Sequence, residues 1–230
     1  MRALNSSAAV LIFLAINSPV LAATAPDRTG GGSAKAPHAE LARFDPHGPA
    51  LRRGGAKGQS TAELERIIAV YNAAINFDPK DDDAYFHRGI ANFYAGSLAK
   101  ALADMSKASE LDPRYPYYAL WLDILAKRGN LPSQLAQSTV QFDMNKWPAP
   151  VIRLYLGETT PQAVLAAAAD PDPATRKGQL CEANFYIAEL ALRQDAKEEA
   201  VHHFRLAADN CPGDFVEEPA ADAELRALTP

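Results

Sequence analysis

Five histidines, two cysteines and a run of aspartates are the side chains of this chain best suited to bind a metal, act as a nucleophile or move a proton. Their spacing supports little of that chemistry. His202 and His203 are adjacent. On a helix they project about 100° apart and cannot chelate one ion together. His38 and His47 fall in a Gly- and Pro-rich stretch, and His87 is the fifth. Asp81-Asp82-Asp83 closely follows Pro79. It reads as a helix N-cap, where carboxylates accept free N–H groups and oppose the helix dipole. No glycine-rich phosphate loop and no G-x-S-x-G elbow occur. The expectation is a chain with no catalytic residues, no metal and no cofactor.

Cys181 and Cys211 are too few for a four-cysteine zinc site. A nucleophile with its partner, two separately buried thiols and a structural disulfide are the alternatives. The disulfide is expected, because the two residues sit at the ends of two antiparallel helices that the surrounding pattern predicts. A formal charge of -5 excludes a dominant basic face, and with it a main role on DNA or RNA.

The elements that position these residues begin with an export signal. Arg2, the apolar run from Ala8 to Ile16, Pro19 and Val20-Leu21-Ala22 have the three-part layout of a signal peptide over 1–22, cut after Ala22. The apolar run is shorter than the roughly 20 residues of a membrane span. No cysteine near the cut offers a lipid attachment point. The expected product is soluble and periplasmic. Residues 23–60 read as a disordered linker, with Gly30-Gly31-Gly32, Gly54-Gly55, several prolines and little apolar periodicity. Six basic residues there outnumber Asp27, Glu40 and Asp45.

From Thr61 the pattern is helical. Leu64, Ile67, Ile68, Tyr71 and Ile75 mark one face at the 3.6 period. Asp78-Pro79 ends that helix, and further helices are predicted over 83–94 and 98–111, the last ended by Asp112-Pro113. The two Asp-Pro stops are 34 residues apart. That is the length of a tetratricopeptide repeat (TPR), in which two antiparallel helices, a turn and a connector fill one period. Residues 82–115 carry the pattern at Tyr85, Gly89, Ala101, Met105, Ala108 and Pro113, with Gly96 in the turn. Residues 181–214 carry it at Ala188, Ala200, Phe204, Ala207 and Pro212, with Asp195 in the turn. Residues 61–81 keep a half repeat. Residues 116–180 are divergent, with helices predicted over 117–127, 131–142 and 161–169, and Trp121 in the core. Residues 217–228, within the segment 215–228, read as a capping helix. The expected fold is an all-α TPR superhelix over 61–230.

The run from Tyr85 through Pro113 resembles the periplasmic NlpI lipoprotein family. So do Leu120-Trp121-Leu122, Leu154-Tyr155-Leu156-Gly157, Glu182-Ala183-Asn184-Phe185-Tyr186 and Phe215-Val216-Glu217. The resemblance implies a dimeric adaptor that brings peptidoglycan hydrolases to a C-terminal processing protease or to synthesis complexes. The lipid-bearing cysteine of that family is missing from this sequence, so membrane anchoring does not carry over.

In such a superhelix the first helix of each unit lines the groove. The expected protein-binding residues are Phe86, Ile90, Phe93, Tyr94, Phe185 and Glu189, an aromatic surface suited to an apolar or helical peptide. Two other roles stay open at this level. One is a repeat subunit of an envelope export or cytochrome-assembly apparatus. The other is a small-ligand binder or degenerate enzyme.

Overall fold

A computed structural model describes residues 60–213 and 215–229. The expected signal peptide, and the linker up to residue 59, lie outside the described residues. Within them the chain forms ten α-helices and no strand.

α1 (Thr61–Phe77) starts at Ser60, whose hydroxyl accepts a hydrogen bond from the Glu63 N–H at 3.3 Å. It buries Leu64, Ile67, Tyr71 and Ile75. α2 (Asp82–Tyr94) is capped by Asp81, which accepts from the Ala84 N–H at 2.9 Å. The aspartate run therefore works as a helix start. α3 (Leu98–Leu111) buries Ala101, Met105 and Ala108 completely. The close approach of α2 and α3 requires Gly89, where an added Cβ would meet the Asp104 Cβ at 3.3 Å. Asp78 and Asp112 end α1 and α3 with nearly the same extended backbone, at φ -128°, ψ 99° and φ -129°, ψ 91°.

α4 (Pro116–Arg128) carries Trp121 into the core. α5 (Leu135–Ser138) and a 3-10 turn (Thr139–Gln141) replace the longer helix predicted over 131–142. Leu135 is the one buried residue of that pair, and Val140 is 81% exposed. The segment lacks an apolar face that would stabilise more turns. α6 (Ala149–Tyr155) was not predicted, and α7 (Pro161–Ala167) follows it. α8 runs from Pro173 to Arg193. It starts well before the predicted repeat boundary at 181, because Asp172 caps it through the Thr175 N–H at 2.7 Å and Pro173 fits its first turn. α9 (Lys197–Asn210) buries Ala200, Phe204 and Ala207, and α10 (Glu217–Leu228) ends the described chain.

Two turns correspond in detail. Gly96 at φ 76° and Asp195 at φ 60° each occupy the left-handed region after a helix. In each case the next N–H reaches back to the last turn, Ser97 to the Asn92 carbonyl at 2.8 Å and Ala196 to the Ala191 carbonyl at 2.9 Å. This is the Schellman arrangement, which satisfies carbonyls left open at a helix end.

Successive helices pack on one another, α1 on α2, α2 on α3, α3 on α4, α7 on α8, α8 on α9 and α9 on α10. Trp121 and Phe185 stack at 5.4 Å, and Phe185 also meets Phe204 at 5.9 Å, so α4, α8 and α9 share one core. Cys181 and Cys211 form a disulfide with Cα atoms 4.8 Å apart. Cys181 lies inside α8 rather than at its start, and Cys211 caps α9.

Candidate functional site

Helix α10 packs on α9 and α8 and reaches the ends of α2 and α4 through single side chains. The Tyr94 hydroxyl of α2 donates to the Ala220 carbonyl at 3.4 Å. Arg128 of α4 pairs with Glu224 at 3.0 Å. The Tyr186 hydroxyl of α8 donates to Glu217 Oε1 at 3.3 Å. Ala220 and Ala221 are buried between these contacts, small enough for the helix backbone to approach closely.

Burial by neighbouring helices corrects the expected binding surface. Phe86, Ile90 and Phe185 are core residues. Phe86 packs on Tyr118 at 5.1 Å, and Phe185 lies between Trp121 and Phe204. They point toward neighbouring helices because those helices carry aromatic partners for them. Phe93 and Tyr94 are half-buried, with the Arg128 guanidinium 5.8 Å from the Phe93 ring centre. Glu189 is buried and held by Arg128 at 3.0 Å.

Two cavities of about 270 Å³ each lie near these contacts, one of them lined by α10 itself. One is walled by Lys127, Arg128, Tyr155, Glu189, Leu192 and Arg193. Here charges are matched. Arg193 pairs with Asp123 at 3.1 Å, and Arg128 serves both Glu189 and Glu224. One guanidinium facing two carboxylates does not offset burial fully, so the Glu189 carboxyl is pushed up to about 7, first by burial and then by Glu224.

The other cavity lies where α2, α4, α8 and α10 meet. Phe86, Tyr115 and Phe215 supply aromatic walls, and Asp83, Glu182 and Glu217 supply carboxylates. Glu182 Oε2 accepts from the Tyr117 hydroxyl at 2.7 Å and from Trp147 Nε1. Burial raises the Glu182 carboxyl, and those two hydrogen bonds oppose the rise. Burial followed by the charge of Glu182 pushes Glu217 up to about 8. Tyr115 is pushed up to about 12, first by burial and then by the carboxylates around it. A carboxyl that titrates near neutrality in a cleft marks a candidate site on physical grounds.

The sequence placed Glu182 in a run that carries the family resemblance, and Glu217 in another such run and in the capping segment. What unites them is the long-range packing of α10, for which the local pattern holds no signal. Among the described residues, no group of three or more His, Cys, Asp or Glu is placed to hold a metal ion. His203 bonds instead to Asn184, at 2.8 Å. No helix of the described residues is long and apolar enough to cross a membrane. Searched against models of known protein families, the chain matches none.

Proposed function

We propose that the chain is a non-catalytic TPR scaffold of the cell envelope that binds other polypeptides. Its partners would be a peptidoglycan hydrolase or a processing protease. The observation that carries the reading is the correspondence of the helix pairs α2–α3 and α8–α9. Each pair has buried alanines at matching positions and a left-handed residue, Gly96 or Asp195, at its turn. That correspondence supports a repeat architecture, and repeat arrays present extended binding surfaces. The disulfide is compatible with an oxidising, periplasmic compartment. The resemblance to the NlpI family supports the choice of partners.

The test uses the full chain with a purified peptidoglycan endopeptidase and a C-terminal processing protease from the same cell. Saturable association with either, and no turnover of cell-wall or peptide substrates by the chain alone, is the expected result. Turnover by the chain alone overturns the scaffold reading. A second reading, a small-ligand binder, is favoured by one observation, the aromatic and acidic cavity beside α10.

A further inference from the structure

Six carboxylates are buried among the described residues. Four of them meet an arginine. Asp104 is held by Arg88 at 2.5 Å, Asp123 by Arg193 at 3.1 Å, and Glu189 and Glu224 by Arg128 at 3.0 Å. Among the described residues, the other two, Glu182 and Glu217, receive only neutral donors, from Tyr117, Trp147 and Tyr186 and from the Glu217 backbone N–H. These two line the same cavity. Both are more than nine-tenths buried, at 8% and 3% exposure. Both donors to the Glu182 side chain go to its Oε2 atom.

Buried carboxylates without a counter-charge are costly, and the cost falls when a cation enters. The kind of cation follows from the walls. Phe86, Tyr115 and Phe215 offer ring faces and edges to an alkyl stem and a charged head. A compact head with three N–H donors can bond to more than one of the carboxylate oxygens lining the cavity, whereas an inorganic cation would find no set of three ligating side chains among the described residues. The volume, about 270 Å³, lies at the lower edge of small-molecule sites and suits one side chain or a short amine.

We infer that this cavity is a binding site for a primary ammonium on an unbranched alkyl stem. Two sources share that chemistry, the lysine side chain of a bound polypeptide and a free diamine. The lysine source rests on the scaffold reading above, and the diamine source does not.

The site carries a pH signature. Lining it are Asp83 and His87 from α2 and Tyr115 and Tyr117 from the start of α4, with Asp82 and Tyr118 next to them in sequence and bonded to each other. Glu182 and Tyr186 face it from α8, and Glu217 from α10. No lysine or arginine is among the described lining residues. Glu217 in the empty site titrates at about 8 and is mostly protonated at pH 7. Entry of an ammonium favours its carboxylate form and expels that proton. Affinity therefore rises from pH 6 to about 8.5, and falls as the ammonium itself loses its proton near pH 10.

The experiment is calorimetric titration of the full chain with three probes. They are an acetylated, amidated Ala-Lys-Ala peptide, the same peptide with norleucine for lysine, and 1,5-diaminopentane. We expect saturable binding of the lysine peptide or the diamine at least tenfold tighter than that of the norleucine peptide. The heat should vary with the buffer's ionisation enthalpy, reporting proton release. Glu182→Gln and Glu217→Gln, checked for an unchanged helical CD spectrum and an intact Cys181–Cys211 bond, should each weaken binding at least fivefold. Binding of the lysine peptide assigns the site to a polypeptide, and binding of the diamine alone assigns it to a small amine. Equal affinity for the norleucine peptide, or no saturation by either amine at tens of millimolar, overturns the inference. The wild-type comparison decides even if a variant fails to fold. Amine binding with no hydrolase or protease association removes the scaffold reading and leaves the site.

Discussion

The ring of Phe215 lies directly over Gly178, so that a Cβ added at Gly178 would stand 2.8 Å from the Phe215 Cζ. This contact fixes the segment leading into α10 against the first turns of α8. Gly178→Ala should raise helix propensity by about 1 kcal/mol and force the ring aside at a cost of about 1–3 kcal/mol. The single variant is therefore expected to be neutral or destabilised by up to about 2 kcal/mol. In a Phe215→Ala background the same change should stabilise by about 1 kcal/mol. Denaturant unfolding of the double-mutant cycle checks this, and additive effects would show that the two positions do not touch.

The disulfide closes a loop with a sequence separation of 30 residues. In the chain-entropy account such a loop stabilises by about 3–4 kcal/mol as an upper figure. Cys181→Ala with Cys211→Ala should lower stability by up to that amount and leave the helical CD spectrum in place. Thiol counting on the unfolded, non-reduced wild type should find no free thiol. Two free thiols would remove the bond.

Phe86→Ala tests the corrected placement of that residue. A groove residue could be truncated at little cost to folding. A side chain packed on Tyr118 and Trp121 should instead cost about 3–5 kcal/mol when removed. Urea unfolding gives the answer, and a loss below about 1 kcal/mol would return Phe86 to an exposed surface.

Stability should depend on pH through Glu217. Its carboxyl titrates at about 8 when folded, above the ordinary value of 4.5. The folded state then holds the proton more tightly than the unfolded state. Its contribution to stability is fully present below pH 4.5 and is lost as pH rises toward 8. Glu217→Gln keeps the shape without the charge. It should match the wild type near pH 5 and exceed it at pH 8.5 by roughly 2–4 kcal/mol, set by linkage. Thermal unfolding at the two pH values measures the difference, and an equal effect at both would exclude the titration.

Much of the helical frame was legible because it rests on local rules. Asp81 and the Asp-Pro stops mark helix ends, and Gly96 marks a turn by its tolerance of positive φ, whereas Ser60, read as linker, is the cap of α1. The site was less legible. Glu182 and Glu217 are ordinary acidic residues until α10 is laid beside α8, and that contact depends on Ala220 and Ala221 being small, which sequence spacing does not reveal. The expectation that Phe86 and Phe185 face outward failed for a related reason. The repeat pattern gives the helix face, but Tyr118, Trp121 and Phe204 decide what covers it.

The contacts of α10 with Tyr94 and Arg128 also bear on the order of assembly. In an array whose units touch only their neighbours, structure can propagate from one end and each unit can fray alone. Here an early helix and a late one are joined, with Tyr94 and Ala220 separated by 126 residues. Closing so long a loop is slow relative to local helix pairing. Arg128 meets Glu224 only after nearly all of the described chain is in place. The molecule is thereby set to gain its last ordering step all at once, and protection from amide exchange at α2 and α10 should be lost and regained together.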